Sequence, residues 1–488
     1  MEKDFTLKIA KYTVFLFLAM LACKYTIGLG AVAIVLVALG CAISGQIGWA
    51  IIAYILLPFM VVMNSWILPK TGVTGIVLRV GQMVVMLGLL IGVGKRRGDN
   101  GIPLGAMWLY VICAAISSLG GYHPLISYLK ILNFSLLMLG LWLGFRNIDK
   151  SPREMETIRY FLLSFVTFLI FGSWFLRFAM PGAAYALSVA SILREEGLAA
   201  ASAAVHEADG MMLFCGITNQ SQALATMLPM AMTWLACDML FVERRITKFH
   251  AISILAGVPL IYMTRSRIAV FSIAVGMYLI YSFCIKRVNV APKIKTALRR
   301  GMNFALIGVI AYCCVAEVRN KSISKLLRKN DDIAGDTRRL TEAVAESRMG
   351  KIEDNMWDFK QNPLLGTGFQ VTYVMKYLYQ DTGLILSAPL EKGVLPAMIL
   401  GETGIVGLIA FIVFITVFYG TCFRKKYFAT ATLMTVFLAT NMGEATYFSP
   451  GGVGGILWSF GCGGGFVLDS IVISRRREGT CFIWQQPL

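Results

Sequence analysis

The 488-residue chain is 57% hydrophobic and only 15% charged, with a mean hydropathy of +0.70. A soluble globular protein is nearer to half apolar and about a quarter charged, so this composition excludes an ordinary soluble domain. The formal net charge of +18 does not indicate nucleic-acid binding. The basic residues lie in short clusters between apolar blocks, without zinc-finger spacing or interleaved aromatic residues.

Apolar blocks of roughly 17–25 residues, the length that crosses a bilayer as a helix, follow one another along most of the chain. In hydrocarbon the backbone must satisfy its own hydrogen bonds, so each block is predicted to be a helix. We therefore predict an all-α fold, a polytopic transmembrane helix bundle of about 12–14 spans. The candidate spans are 12–27, 28–44, 47–67, 74–94, 103–120, 124–145, 157–179, 220–242, 249–264, 266–285, 300–317, 395–420, 427–446 and 452–474.

Basic clusters occupy alternate predicted loops and both ends of the chain. Because Lys and Arg accumulate in cytoplasmic loops, we predict a multi-pass membrane protein with both termini in the cytoplasm. The clusters are Lys3, Lys8 and Lys11, 95–97, Arg146, Lys150 and Arg153, Arg244, Arg245 and Lys248, 286–300, 424–426 and 475–477.

Two long polar segments then fall on the periplasmic side. Residues 1–317 are predicted to form a transmembrane bundle with a smaller outer loop near 180–219, followed by a large periplasmic loop at 318–394. Residues 395–488 supply the C-terminal transmembrane helices and a cytoplasmic tail. Long loops in compact proteins are usually functional or disordered. Helical patterning within 338–359 predicts that the large loop is an ordered, helical cap.

The cysteines and histidines do not indicate a metal site. Most of the eleven cysteines lie within apolar blocks, and no C-x-x-C pair occurs. We interpret them as small apolar residues and predict no disulfides. The three histidines, His123, His206 and His250, are far apart in the sequence.

Five basic residues break the orientation rule, because they lie in or beside apolar blocks near the periplasmic ends. A charge within a span is costly and marks a functional site or an internal partner. Alone, each side chain can extend its stem to the interface or pair with Glu402 or Glu444. Together they predict a site for a phosphorylated ligand, since the guanidinium fork matches phosphate. The five are Arg79, Lys130, Arg177, Arg265 and Arg267.

Four stretches carry further patterns. The first, residues 264–271 (Thr-Arg-Ser-Arg-Ile-Ala-Val-Phe), opens a span after a short outer turn. Arg348 precedes a helical segment and then the second, residues 362–369 (Asn-Pro-Leu-Leu-Gly-Thr-Gly-Phe). The third, residues 400–407 (Leu-Gly-Glu-Thr-Gly-Ile-Val-Gly), enters the span after the large loop. The fourth and weakest, residues 216–222 (Gly-Ile-Thr-Asn-Gln-Ser-Gln), ends the smaller outer loop.

In order and spacing, the stretches within about residues 210–420 resemble the O-antigen ligase/polymerase family of membrane glycosyltransferases. The resemblance implies glycan transfer at the outer face of the inner membrane, from undecaprenyl pyrophosphate to a hydroxyl of lipid A core or of another lipid-linked repeat. It implies that Arg267 and Arg348 hold the pyrophosphate and that neither a nucleotide nor a metal is needed. The protein partner that such an enzyme implies is a chain-length regulator or a flippase.

One departure from the family pattern bears on the reaction. Ligases carry a His-Asn pair shortly before the Glu that corresponds to Glu402, and that His is proposed to activate the acceptor. Here residues 389–396 contain no histidine, which favours a polymerase over a ligase. The candidate bases are Glu391, Glu402 and His206. Lys392 is a candidate to hold Glu391 ionised or to contact phosphate.

Three functions stay open at this point. A polymerase of O-antigen or exopolysaccharide repeats is the expected one, and a ligase is the nearest alternative. A lipid-linked glycan flippase or transporter would also combine many spans with embedded arginines. Transporters often contain internal repeats, and no similarity between the two halves of this chain supports that class.

Overall fold

The computed structural model describes most of the chain, and most of the described residues form helices. The described residues are 83% helical and contain no strand, which confirms the predicted all-α class. They are residues 2–26, 29–64, 67–68, 73–93, 101–148, 151–185, 214–244, 246–264, 266–285, 296, 300, 303, 352–371, 393–443 and 445–477.

Thirteen of the predicted spans coincide with apolar helices. Six are long and apolar enough to cross a membrane, and seven are shorter, at 10–17 residues. The other predicted span, 300–317, lies almost entirely outside the described residues. The helices are α1 (Glu2–Tyr25), α2 (Leu29–Ser44), α3 (Ile47–Val62), α4 (Val73–Val93), α5 (Met107–Leu119), α6 (Pro124–Ile148), α7 (Pro152–Ala179), the single turn α8 (Pro181–Ala184), α9 (Ser221–Cys237, continued by the π-helical Asp238–Glu243), α10 (Lys248–Met263), α11 (Arg267–Ile285), α12 (Leu395–Lys425), α13 (Phe428–Asn441) and α14 (Val453–Trp458, the π-helical Ser459–Gly464 and Gly465–Arg477).

The start of α1 and the end of α14 lie at the same end of the bundle. Arg159 of α7 forms an ion pair with Asp238 of α9 at 2.5 Å, and its guanidinium lies over the Phe5 ring of α1. Arg475 of α14 donates a hydrogen bond to the carbonyl of Val242 at 3.0 Å. We call this the inner end of the bundle and the opposite end the outer end. Both described ends of the chain therefore lie at the inner end.

A buried ionic network holds the inner end together. The side chains of Arg159 and Asp238 are 1% and 0% exposed, and Arg159 also contacts a carboxylate oxygen of Glu243 at 2.6 Å. Nε2 of His250 lies 3.0 Å from the second oxygen of Asp238. A desolvated charge is costly unless it is paired, so the four residues fasten α7, α9 and α10 to one another. Arg159 does not stand out in the sequence, because it lies only six residues beyond Arg153, the last residue of a predicted cytoplasmic cluster.

The orientation rule predicts that the outer end faces away from the cytoplasm, and cysteine labelling can test it. Single cysteines would replace Met180, which is exposed at the outer end, and Lys426, which is exposed at the inner end. A membrane-impermeant maleimide should label the first in intact spheroplasts and the second only in inside-out vesicles. Labelling of both positions from the same side would contradict the alternating arrangement. Burial raises the pKa of the native Cys215 thiol to about 11, so little thiolate is present at this cysteine to compete for the label.

Candidate active site

α12 is broken close to its outer end, within the third stretch. Gly404 has φ +63° and ψ −164°, a conformation that essentially only glycine adopts. Beyond the break, the N–H groups of Ile405 and Val406 donate to the carbonyls of Pro363 (2.9 Å) and Leu364 (3.3 Å) instead of to their own helix. A Cβ atom on residue 404 would overlap the carbonyl of Leu364. The second stretch therefore supplies the acceptors that the broken helix lacks.

The rest of the second stretch binds the same segment of α12 from the other direction. Thr367 N–H donates to the Gly401 carbonyl and Gly368 N–H to the Glu402 carbonyl, both at 3.0 Å. Gly366 has φ +71°, and a Cβ there would overlap the backbone of Glu402. Two stretches separated by about thirty residues in the sequence are thus a single interlocked unit.

Gln370 ties this unit to two further elements. Its N–H donates to a carboxylate oxygen of Glu402 at 2.8 Å, and its carbonyl accepts from Nζ of Lys130 at 3.0 Å. Its side-chain amide donates to the carbonyl of Phe448. Glu402 and Lys130 are 0% and 3% exposed. A buried carboxyl group and a buried amine therefore both bind the backbone of one residue, Gln370. Gln370 itself has φ +55°, which is uncommon for a residue with a side chain.

The end of α5 and the turn from α5 to α6 form the third wall. Ser117 donates to the Glu402 carbonyl at 2.7 Å, and the Ser118 hydroxyl accepts from Phe369 N–H at 3.2 Å. A Cβ on Gly121 would lie 2.6 Å from a carbonyl oxygen of the second stretch. Sequence reasoning missed these residues. The available signal was the run of small and hydroxyl residues, Ser-Ser-Leu-Gly-Gly, which in membrane helices permits close backbone approach.

The first stretch lies at the outer end. It contacts the segment between α13 and α14, whose Phe448 carbonyl also accepts the hydrogen bond from the Gln370 side chain. Arg267 is the first residue of α11 and is half-buried. The next residue, Ile268, packs under Gly443, where a Cβ would lie 3.0 Å from its side chain. Gly443 belongs to residues 442–452, which we call the outer turn. The structure describes all of these residues except Glu444. Since Phe448 of the outer turn accepts the Gln370 amide, this turn connects the first stretch with the interlocked unit.

Arg177 lies beside the first stretch, on a different helix. Its guanidinium stacks over the Trp174 ring, 5.5 Å from the ring centre, and contacts the sulfur of Met263. Met263 is the last residue of α10 and directly precedes the first stretch. Arg177 and the first stretch therefore share one part of the outer end, which places two arginines, Arg177 and Arg267, on neighbouring elements.

The fourth stretch is held at the outer end by α3. Asn219 N–H donates to the Val62 carbonyl at 2.8 Å, and the Asn64 amide donates to the carbonyls of Ala183 (2.8 Å) and Gly216 (3.3 Å). Gly216 has φ +54°. The stretch thus closes a turn between α8 and α9, and it is held both by backbone groups and by the side chains of Asn64 and Ser173.

Several predicted site residues lie outside the described part of the chain. Of the predicted bases, Glu402 is described. Of the predicted phosphate-binding residues, Lys130, Arg177 and Arg267 are described, and Arg79 is described only as backbone of α4. Within the described ranges, no group of three or more His, Cys, Asp or Glu could hold a metal ion. The residues outside the described ranges are His206, Arg265, Arg348, Glu391, Lys392 and Glu444.

Comparison with known proteins adds no family assignment. No protein-family model matches the chain, and a search of curated proteins finds no match either.

The geometry of the interlocked unit predicts that Gly404, the glycine at the break, cannot be replaced without strain. Gly404→Ala should strain the backbone by about 1–3 kcal/mol and displace the second stretch, because the new methyl group overlaps the Leu364 carbonyl. The expected result is a lower melting temperature of the purified protein and new proteolytic cleavage within residues 362–371. Gly420→Ala is the matched control, since it lies in the same helix with no atom within 4 Å of the added Cβ. Equal behaviour of the two variants would contradict the interlocking.

Proposed function

We propose that the protein is a membrane glycosyltransferase that polymerises undecaprenyl-pyrophosphate-linked oligosaccharide repeats at the outer face of the bacterial inner membrane. The observation that supports this most is the convergence of the stretches that carry the family resemblance. The second and third stretches interlock at the outer end, and the outer turn connects them with the first. Segments that serve only as connectors between spans do not need to meet in this way.

The proposed reaction makes modest chemical demands. An acceptor hydroxyl attacks the anomeric carbon of the donor sugar, the bond from that carbon to the pyrophosphate oxygen breaks, and the acceptor proton passes to a base. Undecaprenyl pyrophosphate leaves with the bonding electron pair. The protein must stabilise the negative charge that develops on pyrophosphate and remove one proton. Cations at the outer end suit the first task.

We assign the pyrophosphate to Arg267 and Arg348, together with Arg177, which contacts the residue that precedes the first stretch. Arg267 and Arg177 are both half-buried at the outer end, so each is partly accessible from outside the bundle. A planar guanidinium binds two phosphate oxygens at once. Lys130 has a different role in this proposal, because it is buried and donates to the Gln370 carbonyl. It positions the second stretch.

Glu402 is also assigned a positioning role, and the base is assigned to Glu391. The Glu402 carboxylate is fully buried and accepts the Gln370 N–H, so it acts on the site through that backbone. In the sequence, Glu391 is four residues before Leu395, where α12 begins, close to the position at which the resemblance places the histidine of ligases. His206 remains the alternative base.

Arginine variants test the donor site. Arg267→Ala and Arg348→Ala should each lower polymer formation about 10- to 100-fold, since about 1.5–3 kcal/mol of charge-assisted hydrogen bonding is lost. Lys should rescue only partly, because an ammonium lacks the planar fork. The measurement is polymer made per folded protein in proteoliposomes supplied with a lipid-linked repeat. Arg424→Ala, an exposed arginine at the inner end of α12, is the matched control and should be neutral.

Three outcomes of this assay would contradict the proposal. Normal polymer length in both arginine variants would reject the donor site. Transfer of the glycan to lipid A core without polymer would identify a ligase. Movement of the lipid-linked substrate across the membrane without extension would identify a flippase or transporter.

Carboxylate variants separate positioning from base catalysis. Glu402→Gln should keep most of the activity, because the amide oxygen still accepts the Gln370 N–H, whereas Glu402→Ala leaves that buried donor unpaired at about 1–3 kcal/mol. Glu391→Gln should be nearly as damaging as Glu391→Ala, because an amide cannot take the proton. Activity measured across pH distinguishes the roles, since only loss of the base changes the pH profile. Strong loss in Glu402→Gln with normal folding would make Glu402 the base instead.

A further inference from the structure

An apolar patch lies on the surface of the interlocked unit, next to the break in α12. Leu364 is 64% exposed, although its carbonyl is held by the Val406 N–H. Beyond the break, exposed apolar side chains recur on one face of α12 at helical spacing. This face is the lipid-facing stripe of α12: Ile405, Val406, Ile409, Ile412, Val413 and Val417. Leu364 is continuous with the outer end of the stripe.

The length of α12 places this patch at the edge of the hydrocarbon. The 21 residues from Ile405 to Lys425 rise about 31 Å at 1.5 Å per residue, which matches the roughly 30 Å of a bilayer core. Arg424 and Lys425 mark the inner boundary. The break at Gly404 therefore coincides with the outer boundary, and Leu364 lies where acyl chains meet headgroups.

A short helix of the large loop brings a tryptophan to the same unit. Residues 352–361 are helical and lie against the outer part of α12, because a Cβ on Gly401 would be 2.7 Å from the Asn355 carbonyl oxygen. Asn355 and Asp358 face the protein, at 3% and 1% exposed, whereas Trp357 is 42% exposed. Tryptophan is enriched where hydrocarbon meets headgroups, since its ring is apolar and its N–H is polar.

We infer that Trp357 and Leu364 insert into the outer interfacial layer of the bilayer and anchor residues 352–371 to lipid. The occupant of the patch is phospholipid rather than another protein. The patch is continuous with a stripe of exposed apolar side chains on a membrane-spanning helix, and its depth along α12 matches the boundary expected for the hydrocarbon. This anchoring does not depend on the reaction that the protein catalyses.

One consequence rests on the proposed function. A lipid anchor at this depth holds the second stretch at the headgroup level, which is where the pyrophosphate of a lipid-linked sugar lies. The anchor then sets the height of the site relative to its substrate.

Tryptophan quenching by brominated lipid tests the anchor in the full-length protein. The protein and its Trp357→Phe variant would be reconstituted in nanodiscs whose lipids carry bromine either near the headgroup or near the acyl-chain terminus. Because the chain has nine tryptophans, the difference between the two emission spectra isolates Trp357. We expect this difference emission to be quenched more strongly by shallow than by deep bromine. Leu364→Trp in the Trp357→Phe background should behave in the same way.

Ile412→Trp in that background is the depth control, because Ile412 lies on the lipid-facing stripe about 12 Å further along α12 than the break. It should be quenched more strongly by deep bromine. Difference emission from Trp357 that is unquenched in both lipids, at the wavelength of a water-exposed indole, would overturn the inference and leave the patch for a protein partner. Failure of the proposed glycan transfer would leave the quenching result unchanged, so the two proposals are separately testable.

Discussion

The break in α12 at Gly404 is the constraint on which the outer end depends. A helix that loses its hydrogen-bond ladder near hydrocarbon leaves backbone N–H groups that no water can satisfy. In this protein the carbonyls of Pro363 and Leu364 satisfy them. The same loop then donates N–H groups back to the carbonyls of Gly401 and Glu402. Docking of the loop is therefore the condition under which the break is tolerated.

The two ends of the bundle are stabilised by different interactions. At the inner end, Arg159, Asp238, Glu243 and His250 form a buried ionic network between side chains. At the outer end, the described contacts run largely through backbone groups, with Gln370 as the meeting point of α6, α12 and the outer turn. A buried ion pair is strongly destabilised when one partner is removed, so the network at the inner end resists rearrangement. This difference agrees with a functional site at the outer end and a structural clamp at the inner end.

The proposed glycan transfer and the proposed lipid anchor concern the same region, the outer end of the bundle. The transfer needs cations and a base near the headgroup layer, and the anchor holds one loop of the site at that layer. Buried positioning groups such as Lys130 and Glu402 maintain the loop conformation, while Arg177 and Arg267 stay half-buried near the surface. A division between residues that shape a loop and residues that meet a ligand is common in sites built on loops.

The sequence by itself determined the class of the protein and the positions of its spans, because the need to bury backbone polar groups in hydrocarbon acts locally on each apolar block. Hydropathy located thirteen described helices, and the motif pattern pointed to Glu402 and the second stretch. Only the tertiary structure decided what these residues contact. The hydrogen bonds from Ile405 to Pro363 and from Gln370 to Glu402 join residues 32 or more positions apart, and the partner of Arg159 lies 79 positions away. Local pattern carries no information about such pairings, since they depend on which helix ends the bundle brings together.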